Sequence, residues 1–258
     1  MMNAGRTIST MAVFGGLLAL WALVSALGWV NAFLLPPPAR IWSAFLELSA
    51  SGRLWDHLLV SLGRVGAGYL LAAALALSLG VLVVSIPGMA RIVDPLLDFL
   101  RQVPPLALMP LALLWLGIGE AQKLGIIVLS CFFPIFLGLR GGFAQVDPRL
   151  IEVGRAAGFG RAEILRRIAI PAALPAVVVG MRLGLGYGWR ALVGAELIAS
   201  SAGLGYMILD AQDMARTDIV LVGVLMIGLI GLVSDWLLRR AVGWWMPWIR
   251  QEMAMGNG

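Results

Sequence analysis

The residues able to do chemistry are few, and they stand in unusual places. His57 is the only histidine, Lys123 the only lysine and Cys131 the only cysteine among 258 residues. A single cysteine excludes an intramolecular disulfide and a cysteine metal cluster, and a single histidine excludes a paired histidine site. Lys123 stands in E-A-Q-K-L-G, and no stretch fits the phosphate-cradling pattern G-x-x-x-x-G-K-[ST]. The chain is therefore not expected to hydrolyse ATP by that route or to carry a metal, and His57 beside Asp56 reads as an interfacial residue. More telling are charged residues inside apolar runs: Arg64, Arg182, Arg190 and Glu196. An arginine at such depth is costly unless it pairs or faces water. Arg190 either lines a water-filled path and attracts an anion, or pairs with an acid such as Glu196, six residues on. Arg182 lies nearer the end of its run, from which a long side chain can extend its head into the interface. Arg64 either faces a path or anchors a span boundary.

The elements that must position these residues are membrane helices. The composition is 60% hydrophobic and 13% charged, with a mean hydropathy of +0.93, far too apolar for a soluble domain of ordinary composition. The fold class expected is all-α, polytopic and membrane-embedded. A pI near 10.3 would suit nucleic acid, but the arginines fall between apolar runs without interleaved aromatics. They read as topology signals, and nucleic acid is not an expected partner.

Six runs are long enough for the ~20 residues that a crossing needs: about 11–34, 58–86, 96–117, 123–139, 168–200 and 219–238. The first follows Arg6 and is too long for a signal-peptide core, so it reads as an uncleaved helix. Residues 39–56 carry an apolar stripe suited to an interfacial helix or to packing on the bundle. Pro104, Pro105 and Pro110 interrupt the third run by removing amide donors. That break either shapes a gate or is a static kink beside protein. Gly180, Gly184 and Gly188 recur every fourth residue, leaving one helix face bare for close approach to a neighbour in this chain or in a second copy. Residues 201–218 read as a loop, and Trp244, Trp245 and Trp248 beside Arg239, Arg240 and Arg250 as an interfacial belt.

Arginine bias sets the orientation. The loop after the fourth run holds Arg140, Arg149, Arg155, Arg161, Arg166 and Arg167, whereas the loop after the fifth has Arg216 against three acids. The former is expected in the cytoplasm, with both termini; Arg40 and Arg53 are a mild exception. That same loop, 147–171, is the longest water-facing stretch. Asp147 and Pro148 mark a helix start, Gly158 and Gly160 a turn, and a second helix begins near Arg161.

This stretch resembles the EAA loop of membrane subunits of ABC importers, with Glu152, Gly158, Ile168 and Pro171 at the family's spacing. It departs at Val153 and Gly154, which replace the two alanines, and at Ile170, which replaces a leucine. The bland alternative is an ordinary basic loop. Further segments resemble permeases of taurine, aliphatic sulfonate and nitrate importers: L-P-P-P-A-R-I-W at 35–42, H-L-L-V-S-L-G-R at 57–64, R-Q-V-P-P-L-A-L-M-P-L-A-L-L-W-L-G-I-G-E at 101–120, G-M-R-L-G-L-G-Y-G-W at 180–189 and A-E-L-I-A-S-S-A-G-L-G-Y-M at 195–207.

The resemblance implies one transmembrane permease domain, 1–258, of the type I importer fold (MetI-like), in the bacterial inner membrane. It implies a dimer of separate ATPase subunits that bind ATP and Mg, a second permease subunit (a homodimer), and a periplasmic or lipid-anchored substrate-binding protein. Glu152, Ala156, Ala157, Gly158, Phe159, Ile168 and Pro171 would couple to the ATPase. Arg190, Glu196, Arg64, Pro104 and Pro105 are the candidates for the translocation path. The solute expected is taurine or another sulfonate, with nitrate, bicarbonate or an aromatic carboxylate as alternatives. A self-contained carrier or channel is the rival of a different class.

Overall fold

The computed structural model describes residues 4–246, and every regular element in them is helical. In chain order these are α1 (Ala4–Ala26), α2 (Pro38–Ala50), α3 (Arg53–Ser85), α4 (Met89–Leu100), a 3-10 turn (Pro105–Leu108), α5 (Met109–Leu116), α6 (Glu120–Ala144), α7 (Pro148–Ala156), α8 (Arg161–Ile164), a π turn (Leu165–Ala169), α9 (Ile170–Ala199), α10 (Leu204–Asp213) and α11 (Thr217–Trp245). Helix α3, the joined α8–α9 run, α6 and α11 are each long and apolar enough to cross a membrane, and α4 with α5 forms one further span bent by 81°. Within α1, Gly15–Ala26 is apolar. Trp248 and Arg250 of the expected aromatic belt lie outside the described residues.

The boundaries shift for physical reasons. Helix α1 starts earlier than expected and ends at Ala26, because Gly28 takes φ +67° and the Asn31 side chain accepts from the Phe33 amide. The third span begins earlier, at Met89, and breaks as expected. Val103 and Pro104 each precede a proline and are pushed out of the helical region, and Pro104 has ψ 126°. At the start of the fifth span Pro171 has no N–H for the Arg167 carbonyl. The π turn absorbs that missing bond, with Ile170 N donating to Leu165 O.

The described residues pack as two units, 4–60 with 201–228, and 61–200 with 229–246. In the first, the expected loop 201–218 contains helix α10. Its glycines and acids hid an apolar face: Leu204, Met207, Ile208 and Ala211 are buried. The two exceptional arginines are answered by acids here. Arg40 lies 3.7 Å from Asp218, and Arg53 lies 3.5 Å from Asp210. Arg216 donates to Asp218 and Glu47, which hold its guanidinium above its usual pKa. His57 Nδ1 accepts from Gly203 N at 3.1 Å, so the histidine fixes a turn.

In the second unit α6 and α9 lie backbone to backbone. A methyl added at Gly180 would stand 2.6 Å from Pro134 O and 2.9 Å from Gly138 Cα, and one at Gly184 3.0 Å from Cys131 O. The neighbour of the bare α9 face is thus α6 of the same chain. Beyond it Met109, Ile126, Ala191 and Ala195 form a buried cluster, and Leu106 of the 3-10 turn seats on Gly194.

Candidate functional site

The segment between α6 and α9 folds as a helical hairpin whose geometry follows from its sequence. Asp147 caps α7 by accepting from Arg149 N at 2.9 Å, and Pro148 fills the first turn. The helix ends in a Schellman motif. Gly158 has φ +81°, Gly158 N donates to Arg155 O and Phe159 N to Gly154 O, each at 3.0 Å. Gly154 is buried against Ile168: an added methyl would stand 2.6 Å from Ile168 Cδ1 and 3.7 Å from Phe159 Cδ2. The departure from alanine at this position therefore makes room for Ile168. On the other side Arg167 lies 5.2 Å above the Phe159 ring and 3.4 Å from Glu163. These contacts fix the hairpin and leave a face with Leu150, Glu152, Val153, Arg155, Ala156 and Ala157 exposed. Leu150 and Val153 are 48% and 66% exposed, which marks an apolar surface suited to a partner. Pro171 is half-buried at the root of α9.

Near the opposite end of the same unit sits a charge cluster. Arg64 of α3 donates Nε and Nη2 to Glu120 of α6, both at 2.7 Å, and Nη1 to Glu196 of α9 at 2.8 Å and to Ser200 Oγ at 3.1 Å. Ser61 Oγ donates to both Glu196 oxygens at 2.9 and 3.0 Å. Lys123 Nζ reaches Glu120 at 2.8 Å. Two cations and two carboxylates are balanced, and Glu196 is 0% and Arg64 7% exposed. The expected pairing of Arg190 with Glu196 is overturned. Six residues apart on one helix, the two point to different faces, and Glu196 is held by Ser61 and Arg64. Arg190 is exposed, its guanidinium 5.3 Å above the Tyr187 ring. Nor does Arg64 sit at a free boundary, because α3, α6 and α9 enclose it.

A third feature is a cavity of about 1360 Å³ within this unit, lined by parts of α6, α9 and α11 and by Arg101, Gln102, Val103 and Pro105. Arg182 lines it, and its Nε donates to Asp235 Oδ1 of α11 at 2.8 Å. Pro105 and Tyr187 also line it, whereas Pro104 supplies the extended residue before the 3-10 turn. Sequence reasoning assigned Arg239 and Arg240 to the interfacial belt, yet both border this cavity, and it did not single out Arg101. It also missed the roles of Glu120 and Lys123, although their three-residue spacing is that of a helical ion pair.

Comparison with known proteins agrees with this anatomy. Residues 89–243 match the family model described as binding-protein-dependent transport system inner membrane component. The chain is 40% identical over 223 residues to the putative aliphatic sulfonates transport permease protein SsuC of Bacillus subtilis, covering 86% of this chain and 81% of that one. It is 35% identical over 247 residues to the taurine transport system permease protein TauC of Escherichia coli, covering 94% and 89%. To the bicarbonate transport system permease protein CmpB of Synechocystis it is 33% identical, covering 86% and 84%. Among solved structures the fold matches an inward-facing MetNI methionine ABC transporter with a TM-score of 0.57 at 20% identity, over 70% of this chain and 92% of that one. A family model that spans more than half of the chain, with relatives well above 30% identity over most of their length, shows that this chain belongs to the inner-membrane permease family of ABC importers.

Proposed function

We propose that the chain is the permease through which a small sulfonate, taurine or an aliphatic sulfonate, crosses the inner membrane toward the cytoplasm. The observation that carries this reading is the capped α7 hairpin, with its apolar outward face, in a chain 35–40% identical to sulfonate and taurine permeases. In the proposed assembly two copies pair, α1 completes six spans per copy, and both termini lie in the cytoplasm. Each α7 docks on a separate ATPase that holds ATP and Mg, and a binding protein delivers solute from the far side. The bicarbonate relative favours one second reading, an inorganic anion as cargo.

Reconstitution tests this. The chain alone in vesicles should be inert, and with ATPase and binding protein it should take up labelled taurine on addition of ATP. Glu152→Lys, on the exposed face of α7, should leave assembly intact and lower uptake per ATP about tenfold, the size of effect expected from one like-charge clash at an interface. Uptake by the chain alone, or unchanged coupling in Glu152→Lys, would count against the proposal.

A further inference from the structure

We infer that the arginine-lined cavity is an anion vestibule, a way-station that selects the solute's anionic head by charge rather than by shape. The inference rests on the transport reading above and names the residues that would discriminate. At about 1360 Å³ the cavity exceeds the roughly 300–1,000 Å³ of a pocket that grips a small ligand, so it suits passage. Its lining among the described residues includes Arg101, Arg182, Arg239 and Arg240 and no aspartate or glutamate.

The neighbouring acids only partly neutralise these cations. Asp235 serves two of them, Arg182 at 2.8 Å and Arg239 at 2.7 Å. Asp98 answers Arg101 at 3.0 Å. Arg240 lies 5.3 Å above the Trp236 ring, and among the described residues no carboxylate lies within 4 Å of it. Four cations against two carboxylates leave two positive charges on a largely apolar wall, and such a wall concentrates anions. Arg182 and Arg239 remain 31% and 43% exposed. Both guanidiniums are therefore open to the space they line. The Arg64 cluster differs in kind, since its two cations and two carboxylates cancel and Arg64, Lys123 and Glu196 are buried.

A phospholipid phosphate presents the same chemistry as a sulfonate, and the test separates the two. The complete complex is reconstituted in phosphatidylcholine vesicles, with and without phosphatidylglycerol, and ATP-driven uptake of labelled taurine is measured. Arg240→Glu and Arg101→Glu should assemble with the ATPase and lose about tenfold in uptake in both lipids, the low end of what electrostatic focusing supplies. Arg240→Lys should restore uptake, and added salt should slow the wild type. Should a reversal variant fail to assemble, Arg240→Gln should still lower uptake, by about threefold. Uptake within about twofold of wild type in both reversal variants would overturn the inference. So would a loss confined to vesicles with phosphatidylglycerol, which would mark a lipid site. A wild type that moves bicarbonate in place of taurine, with the same loss in Arg240→Glu, would sink the sulfonate reading and uphold the vestibule.

Discussion

Removal of the Glu196 carboxylate is the sharpest perturbation of the buried charge cluster. Glu196 accepts from Arg64 Nη1 at 2.8 Å and from Ser61 Oγ at 2.9 and 3.0 Å, and it is fully buried. In Glu196→Leu the acceptor disappears, and Glu120 is the carboxylate left to Arg64 and Lys123 in the cluster, which gains a net positive charge. Breaking a buried pair from one side costs about 3–5 kcal/mol when the remaining charge loses its partner; Arg64 keeps Glu120 at 2.7 Å, so the low end of that range applies. With about 2–4 °C per kcal/mol for a chain of this size, Tm should fall by at least about 6 °C. Glu196→Gln keeps the shape and loses the charge-assisted part of its bonds, about 1.5–3 kcal/mol.

The double variant Arg64→Met with Glu196→Leu should recover most of the lost stability. Replacing both members of a buried pair by apolar residues is commonly near neutral, and Glu120, 58% exposed, keeps Lys123 at 2.8 Å. The assay is thermal unfolding of the purified subunit in detergent, run as a double-mutant cycle with taurine uptake measured in parallel. A Tm unchanged in Glu196→Leu would refute the argument, and so would a double variant as unstable as the two single losses added. A Glu196→Gln variant of native Tm that has lost uptake would mean that the carboxylate meets the solute and does not bind the helices.

Two further outcomes follow from the packing. Gly180→Ala should destabilise the subunit by about 1–3 kcal/mol, because its methyl would stand 2.6 Å from a backbone oxygen that cannot retreat unless α6 and α9 separate; Gly186→Ala, with open space around it, should leave Tm unchanged in the same melt. Arg190→Ala removes an exposed cation–π contact worth about 0.5–1 kcal/mol, so assembly on size-exclusion should be preserved while uptake falls further; equal losses in both would assign Arg190 a structural part.

The sequence made local, covalently anchored features legible. Asp147-Pro148 and Gly158 mark the two ends of α7 because a cap and a left-handed residue are consequences of neighbouring atoms alone. Pro104 and Pro105 break the third span for the same reason, and a glycine every fourth residue exposes the α9 backbone whatever lies opposite. Identity of the partner was beyond that kind of information. Arg64 meets Glu196 and Glu120 across 132 and 56 residues of chain, and no periodicity encodes which helices adjoin. Nearness along α9 favoured Arg190 as the mate of Glu196, but six residues turn a side chain to another face. Helix α10 was hidden by Gly203, Gly205 and three acids. Those acids sit on its polar side or beyond it, where Asp210 and Asp218 meet Arg53 and Arg40.

The position of the hairpin in the chain gives it mechanical leverage. It joins the end of α6 to the start of α9, the two helices that touch through backbone at Gly138 and Gly180 with no side chains between them. Side-chain layers can shear by changing rotamer, whereas backbone in van der Waals contact has no such slack. A push on α7 must therefore move α6 and α9 together, or be absorbed in the hairpin itself. The Schellman turn and the seat of Ile168 on Gly154 close off the second course. At the far end of the same helices Arg64 ties α6 and α9 to α3 through Glu120 and Glu196. On the proposed reading the pair is clamped at one end and levered at the other, and the arginine-lined cavity between α6, α9 and α11 is where we propose that such a motion changes the space open to a solute.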